Sequence, residues 1–275
     1  MVKKRLSKIY LLLIYIFLYA PIIVLCVYSF NDSKSRGSWG GFTFKWYVEM
    51  FQDRDIKTAL YYTIIIAISS AIISTVLGTL AAIGINKLRP KRKAIALNVN
   101  YLPVVNPDIV TGVALMILYL SFNINLGAGT MLISHVIFGT PFVILSVLPK
   151  IRQLNPSLSE AAMDLGATPF YALKKVIIPE IMPGIISGFL MAFTLSADDF
   201  VISFFTTGSG ATNLSIVIYS MARRGVKPTI NALSTLMLVT VLSILLIANH
   251  IANSNRKKIK LNKKQRKENE KNERK

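Results

Sequence analysis

A single cysteine, Cys26, stands in the 275 residues, which excludes an internal disulfide and any cysteine-built metal site. There is no H-E-x-x-H and no G-x-S-x-G, so neither a zinc peptidase nor a serine hydrolase has its catalytic set in the chain. The G-x-x-x-x-G-K-[ST] phosphate loop is missing as well, and with it the means to hydrolyse ATP. Charge is scarce, at 16% of residues, and acids are scarcest: 13 Asp and Glu stand against 32 Lys and Arg, a formal net charge of +19. There is no internal repeat, no low-complexity core and no long polar connection, which argues for one bundle rather than several domains.

What the sequence has instead is apolar residue, 53% of the total, gathered in blocks of about 20. A helix of that length crosses a hydrocarbon core of roughly 30 Å and satisfies its own backbone groups there. Six spans are expected: Ile9 to Phe30, Leu60 to Ile85, a proline-broken third from Ala94 to Phe122, Thr130 to Leu148, Ile185 to Thr206 and Ile230 to Ala252. The fold class is therefore all-α, a polytopic membrane helix bundle with six transmembrane helices. The first span is too long for a signal-peptide core and no small-residue cleavage site follows it, so it is expected to be retained as an anchor.

The basic residues are not spread evenly. Of the 32, 24 fall in the N-terminus, the loop Asn86 to Lys93, the loop 150–183 and the tail after Ala252. The positive-inside rule places those segments, and both termini, in the cytoplasm. Residues 1–255 are expected to form the transmembrane domain and 256–275 a disordered basic tail. That tail reads as a solvated run near anionic lipid headgroups, not as a nucleic-acid site.

One cytoplasmic stretch is too orderly for a linker: LSEAAMDLGATPFYALKKVIIPEIMPG, residues 158–184. Ser159 starts a helix that Gly166 ends after about two turns. Pro169 opens a second helix, which Pro179 and Pro183 are expected to redirect into the fifth span. With Ala161, Ala162 and Leu165 on its apolar side, the first helix is a compact knob for a partner's groove, or else a surface helix with no partner. Glu160-Ala161-Ala162, Gly166, Val176, Ile178 and Pro179 resemble the EAA signature of ABC importer permeases, EAA-x3-G-x9-I-x-L-P, with every spacing kept. Val and Ile replace its Ile and Leu. The resemblance implies a coupling helix seated on an ATPase subunit, with Glu160, Ala161, Ala162 and Gly166 as the contact residues.

A charged side chain inside a span is costly and by default functional. Outside the loops there are three acids, Asp108, Asp198 and Asp199, and no Lys or Arg in the spans to pair with them. Such a set points to a cationic cargo. Asp108 follows Asn106 and Pro107, which also read as a helix cap and first turn. Asp198 and Asp199 lie about 100° apart on a continuing helix. Asp199 shares a stripe of small residues with Gly188, Ala192, Ser196 and Ser203, whereas Asp198 shares one with Ser187, Met191 and Thr194. One face packs and the other is wet, and the sequence leaves open which. Trp46 and Tyr47, in FTFKWYVEMF, offer ring faces to a cation or form an interfacial belt. His135 reads as a hydrogen-bonded packing residue.

KWY at Lys45 to Tyr47, NPDIVTG at Asn106 to Gly112, LSADDF at Leu195 to Phe200 and IYSMARRGVKPTINAL at Ile218 to Leu233 are similar to the C-type permease subunits of spermidine/putrescine importers, along nearly the full length. The likeness implies a type I ABC importer permease in a bacterial cytoplasmic membrane. It implies a second permease subunit, an ATPase dimer that uses ATP and Mg, an extracytoplasmic substrate-binding protein and no cofactor bound by this chain. It also implies a polyamine path served by Trp46, Asp108, Ser196, Asp198 and Asp199. The competing readings are the same machine with another cargo, and an ion-coupled secondary carrier. The latter needs no EAA loop and often shows related halves, which this chain lacks.

Overall fold

The computed structural model describes residues 2–33, 38–155, 157–224, 228–240 and 242–243. Among them the only β-pairing is one isolated bridge, Asn31 to Phe42, and the rest is helix and turn. The tail 256–275 lies outside the described residues. The chain divides into two compact units, residues 53–223 and residues 1–52 with 224–275.

The second of these contains α1 (Val2–Tyr28), α2 (Lys45–Gln52) and, further along the chain, a helix over Pro228–Thr240. Between α1 and α2 the chain is organised by Asn31, fully buried. Its Oδ1 accepts from the N–H of Ser33 (3.2 Å) and Gly40 (2.7 Å), its Nδ2 donates to Ser38 O (2.9 Å), and its own carbonyl accepts from Trp46 Nε1 (2.7 Å).

The larger unit holds α3 (Arg54–Lys87), α4 (Pro90–Val105), α5 (Asp108–Ser121), α6 (Ala128–Arg152), α7 (Ser157–Asp164), α8 (Pro169–Ala172), a π-helical turn (Leu173–Ile177), α9 (Ile178–Asp198), α10 (Val201–Thr206) and α11 (Leu214–Arg224). Its core is the packing of α3, α6 and α9. Val143, Val147, Ile144 and Leu148 of α6 meet Ala71 and Ala82 of α3 and Ile181 and Ala192 of α9. Lipid gives apolar helices no hydrophobic reason to associate, so close approach through small residues does the work. A Cβ on Gly78 of α3 would stand 2.7 Å from Val143 Cβ, and one on Gly188 of α9 3.1 Å from Val143 Cγ1. Gly78→Ala is accordingly expected to cost about 1–3 kcal/mol by overpacking. The measurement is thermal unfolding of the purified complex in detergent, where Gly84→Ala, whose Cβ meets nothing within 4 Å, serves as the neutral control.

Among the described residues four helices are long and apolar enough to cross a membrane: Ser7–Tyr28, Arg54–Lys87, Ala128–Arg152 and Pro169–Asp198. The bent pair α4 and α5 makes a fifth if it is one span. The third expected span is thus broken more sharply than a proline kink, by 102°. Asn106 precedes Pro107 and is pushed to extended backbone (ψ 141°), and Pro107 is extended too (ψ 136°), so two non-helical residues in series make the corner. Asn106 therefore caps the end of α4, its N–H bonding Leu102 O at 3.1 Å, rather than the start of α5. Pro107 takes that place without a side-chain bond.

The fifth span also departs from expectation. Pro179 and Pro183 do not redirect the chain, because Pro169–Asp198 is one continuous helix. The π turn bonds five residues back, as in Ile178 N–H to Leu173 O, and that wider turn accommodates the ring and missing N–H of Pro179. At its other end the helix stops at Asp198 instead of running on to Thr206. The sixth expected span, Ile230 to Ala252, begins within the helix Pro228–Thr240, and most of its remainder lies outside the described residues.

Candidate functional site

The end of α9 is where chemistry-bearing residues converge. Asp199 leaves the helix in extended conformation (φ −65°, ψ 127°), so Asp198 and Asp199 are not neighbours on a continuing helix as their sequence suggests. The turn sends their side chains into different surroundings.

Asp199 is turned inward, its side chain 7% exposed. Its carboxylate accepts from Ile202 N–H (3.2 Å) and Ser203 N–H (2.7 Å), capping the start of α10. His135 of α6, 2% exposed, brings Nε2 to 3.5 Å from Asp199 Oδ2 and to 2.9 Å from Ser203 Oγ. His135 Nδ1 lies 2.5 Å from Ser196 Oγ, which in turn accepts from Ser70 Oγ of α3 at 2.9 Å. Asn213, in the loop before α11, donates from Nδ2 to Asp199 O (2.7 Å) and Ser203 Oγ (2.8 Å). Of the two faces that the sequence left open, the one with Gly188, Ala192, Ser196 and Ser203 is buried. Asp199 is not unpaired, however: His135 supplies the partner that a search for Lys or Arg overlooks. His135 is hydrogen-bonded and buried, as read from the sequence. Asn213 gave no signal there, lying in a polar loop among Thr, Ser and Gly.

The opposite face of α9 is open. Ser187, Met191, Thr194 and Asp198 are all exposed, and among the described residues the Asp198 carboxylate has no hydrogen bond or ion pair. Its backbone carbonyl alone is engaged, by Ser215 Oγ at 3.4 Å. Asp108, the first residue of α5, is likewise exposed. It lies one turn before Gly112, where α5 approaches α10 so closely that a Cβ would be 3.1 Å from the Phe205 ring. Trp46 belongs to the smaller unit and is only 2% exposed. Its indole N–H is held by Asn31, and its own neighbour Lys45 carries an ammonium 5.3 Å from the ring centroid, so a cation already stands over that ring.

The second feature is the elbow formed by α7 and α8. The Gly166 N–H bonds Met163 O (2.9 Å) and the Ala167 N–H bonds Ala162 O (3.1 Å), the paired pattern of a Schellman motif, and Gly166 has the positive φ (+86°) that such an end requires. Thr168 then caps α8, its Oγ1 accepting from Tyr171 N–H at 3.3 Å, and Pro169 takes the first position. Glu160 and Ala161 are exposed, Ala162 half-buried, and Leu165 projects with 91% of its surface free. Ala162, Leu165, Gly166, Thr168 and Tyr171 line an open cleft of about 490 Å³.

Residues 74–260 match the family described as binding-protein-dependent transport system inner membrane component. The chain is 38% identical to the spermidine/putrescine transport system permease protein PotC of Escherichia coli (strain K12), over 87% of this chain and 90% of the relative. It is 41% identical to the putrescine transport system permease protein PotI of the same strain, over 84% and 85%. Among solved structures it resembles a bacterial ABC transporter involved in the import of the acidic polysaccharide alginate, at 20% identity and a TM-score of 0.69, over 90% of this chain and 96% of that one. It also resembles the MetNI methionine ABC transporter, at 18% identity and a TM-score of 0.55, over 71% and 95%. Elbow, broken span and full-length likeness agree, and the chain belongs to the binding-protein-dependent transport system inner membrane component family.

Proposed function

We propose that this chain is a permease subunit of an ATP-driven importer of polyamines, spermidine or putrescine, in a bacterial cytoplasmic membrane. The observation that carries the reading is the likeness to PotC over nine-tenths of that relative. The free Asp198 carboxylate at the end of a largely apolar helix supports the cargo, since an accessible acid in a membrane bundle with no protein partner among the described residues suits a cation that arrives and leaves. In this reading Asp198 and Asp108 meet the amines, Ser196 and Asp199 act from the packed side beneath them, and Trp46 shapes the loop that enters α2. Glu160, Ala161, Ala162 and Gly166, with Leu165, dock on an ATPase dimer that binds ATP and Mg. A second permease completes the path and an extracytoplasmic protein delivers the substrate. One structural relative supports that last partner, having been solved in complex with an alginate pentasaccharide-bound periplasmic protein.

The test is growth of a polyamine-requiring bacterium that lacks its own importers. The full complex should restore growth on micromolar putrescine or spermidine, and omission of this chain should abolish it. Growth rescued only by another solute would replace the cargo.

In this reading both termini and the elbow are cytoplasmic, which the charge asymmetry supports. Reporter fusions at Gly37, Lys91, Gly127, Thr168, Gly210 and the C-terminus are expected to read out, in, out, in, out, in. A cytoplasmic signal at Gly127 would overturn the arrangement.

A further inference from the structure

Two adjacent acids occupy different environments at the end of α9, and residues outside the proposed path make the difference. The imidazole of His135 bridges the break in the fifth span. Nδ1 meets Ser196, on the last turn of α9, and Nε2 meets Ser203, on the first turn of α10. The Asp199 carboxylate, which can only accept, stands 3.5 Å from Nε2 and assigns the ring proton to that nitrogen, so Nδ1 accepts from Ser196 Oγ. Asn213 closes the other side of the break. Its two amide hydrogens go to Asp199 O and Ser203 Oγ, and its Oδ1 accepts from Ile216 N–H at 3.0 Å, so every polar atom of the amide is used. A helix that stops inside a membrane bundle leaves backbone groups that only protein can satisfy. At this break the Asp199 carboxylate takes the N–H groups of Ile202 and Ser203, Asn213 takes Asp199 O and Ser215 Oγ takes Asp198 O, while His135 ties the hydroxyls on either side.

We infer that His135 is a positioning residue of the substrate path: with Asn213 it staples α9 to α10 through Ser196, Ser203 and Asp199, and thereby holds Asp198 as the one acid of the pair free to meet a cation. The inference rests on the permease reading. Asp199 contributes as a capping and counter-charge group beneath the path, and its carboxylate does not touch the cargo.

The two nitrogens of His135 can be tested apart. In His135→Gln the terminal amide reaches the place of Nε2 and still donates toward Ser203 and Asp199. That variant gives up only the Ser196 end, where Ser70 Oγ still bonds, whereas in His135→Asn the shorter amide reaches only the place of Nδ1, so Ser203 and Asp199 lose the donor that holds the acid inward. The complete complex, with Cys26→Ser to remove the native thiol of this chain, carries Asp198→Cys or Asp199→Cys and is treated with a cationic, water-soluble thiol reagent. Asp198→Cys should be labelled and Asp199→Cys protected. Adding His135→Asn should slow labelling at 198 by about ten-fold, the equivalent of one charge-assisted hydrogen bond, and adding His135→Gln should restore it to within a few-fold. In a chain with Asp198 and Asp199 intact, His135→Asn should raise the putrescine KM by about ten-fold with a smaller change in maximal rate, again corrected by Gln.

Equal labelling at 198 and 199, or indistinguishable behaviour of the Gln and Asn variants, overturns the staple. Should Asp199→Cys fail to assemble for want of its cap, the Gln and Asn contrast decides alone. The labelling needs no cargo, so a complex that shows the labelling pattern but takes up no putrescine overturns the cargo and leaves the staple standing.

Discussion

Leu165→Asp is expected to abolish substrate-stimulated ATP hydrolysis by the assembled importer while the chain still inserts in the membrane. A leucine 91% exposed at the tip of the elbow makes almost no contact that the fold of this chain would miss. It sits immediately before the Schellman turn that ends α7, so the backbone holds it rigidly and no loop ordering is left for the moment of docking. An apolar side chain of this kind, seated in a partner's pocket, is worth about 2 kcal/mol or more, or roughly thirty-fold in affinity. Asp also brings a charge that the pocket must desolvate. Glu160→Lys and Gly166→Val should act in the same direction for different reasons. The first inverts the charge in the first turn of α7, where the helix dipole favours an acid. The second forces a β-branched residue to a φ of +86°, although the space beside Gly166 is empty, so the cost lies in the backbone and not in a clash. Co-purification of the ATPase and its stimulation by loaded binding protein are the readouts, and normal values in all three variants would remove the elbow from the coupling path.

Asp198→Asn is expected to lower polyamine uptake at sub-saturating concentration by about ten- to a hundred-fold, with the complex intact. A carboxylate meeting an ammonium group contributes about 1.5–3 kcal/mol, and Asn keeps the shape while removing the charge. Because Asp198 is exposed and its carboxylate makes no internal bond among the described residues, the fold has little to lose by the change. Asp199→Asn should behave differently. That residue caps α10 and faces His135, so its loss should appear first as reduced assembly and thermal stability. Asp108→Asn should fall between: the residue is exposed at the first turn of α5, where the helix dipole favours it and where the proposed path would bring the cargo to it. Equal loss of uptake at 198 and 199, with stability unchanged at both, would return the two acids to one role.

Much of this architecture is legible in the order of residues, and the parts that are not share a cause. The long apolar blocks, the two-turn helix ended by Gly166 and the opening of α8 at Pro169 are local, since periodicity and capping chemistry decide them within a few residues. The stripe Gly188, Ala192, Ser196 and Ser203 is legible as small residues at helical spacing, but that it and not the Asp198 face packs is decided by the fold. What escapes is the break after Asp198. Nothing in LSADDF resembles a helix stop: it contains no glycine or proline, and the residues that stabilise the break, His135 and Asn213, are distant in sequence. The continuity through Pro179 escapes for the opposite reason, since proline ordinarily marks a boundary and the π turn that accommodates it has no sequence signature. Likewise, the scarcity of Lys and Arg in the spans made Asp199 look unpaired until the fold brought a histidine to it.

The central claim is that this chain forms a path for a polyvalent amine with Asp198 on it, and ATP-driven accumulation measures that most directly. The full complex is reconstituted in vesicles with ATP on the cytoplasmic face and loaded binding protein on the other, and labelled putrescine is followed over time. Accumulation that requires ATP, is competed by spermidine but not by an uncharged diol of the same length, and falls at least about ten-fold in Asp198→Asn is the predicted result. Accumulation equal in wild type and Asp198→Asn, or competed equally by the diol, would contradict it.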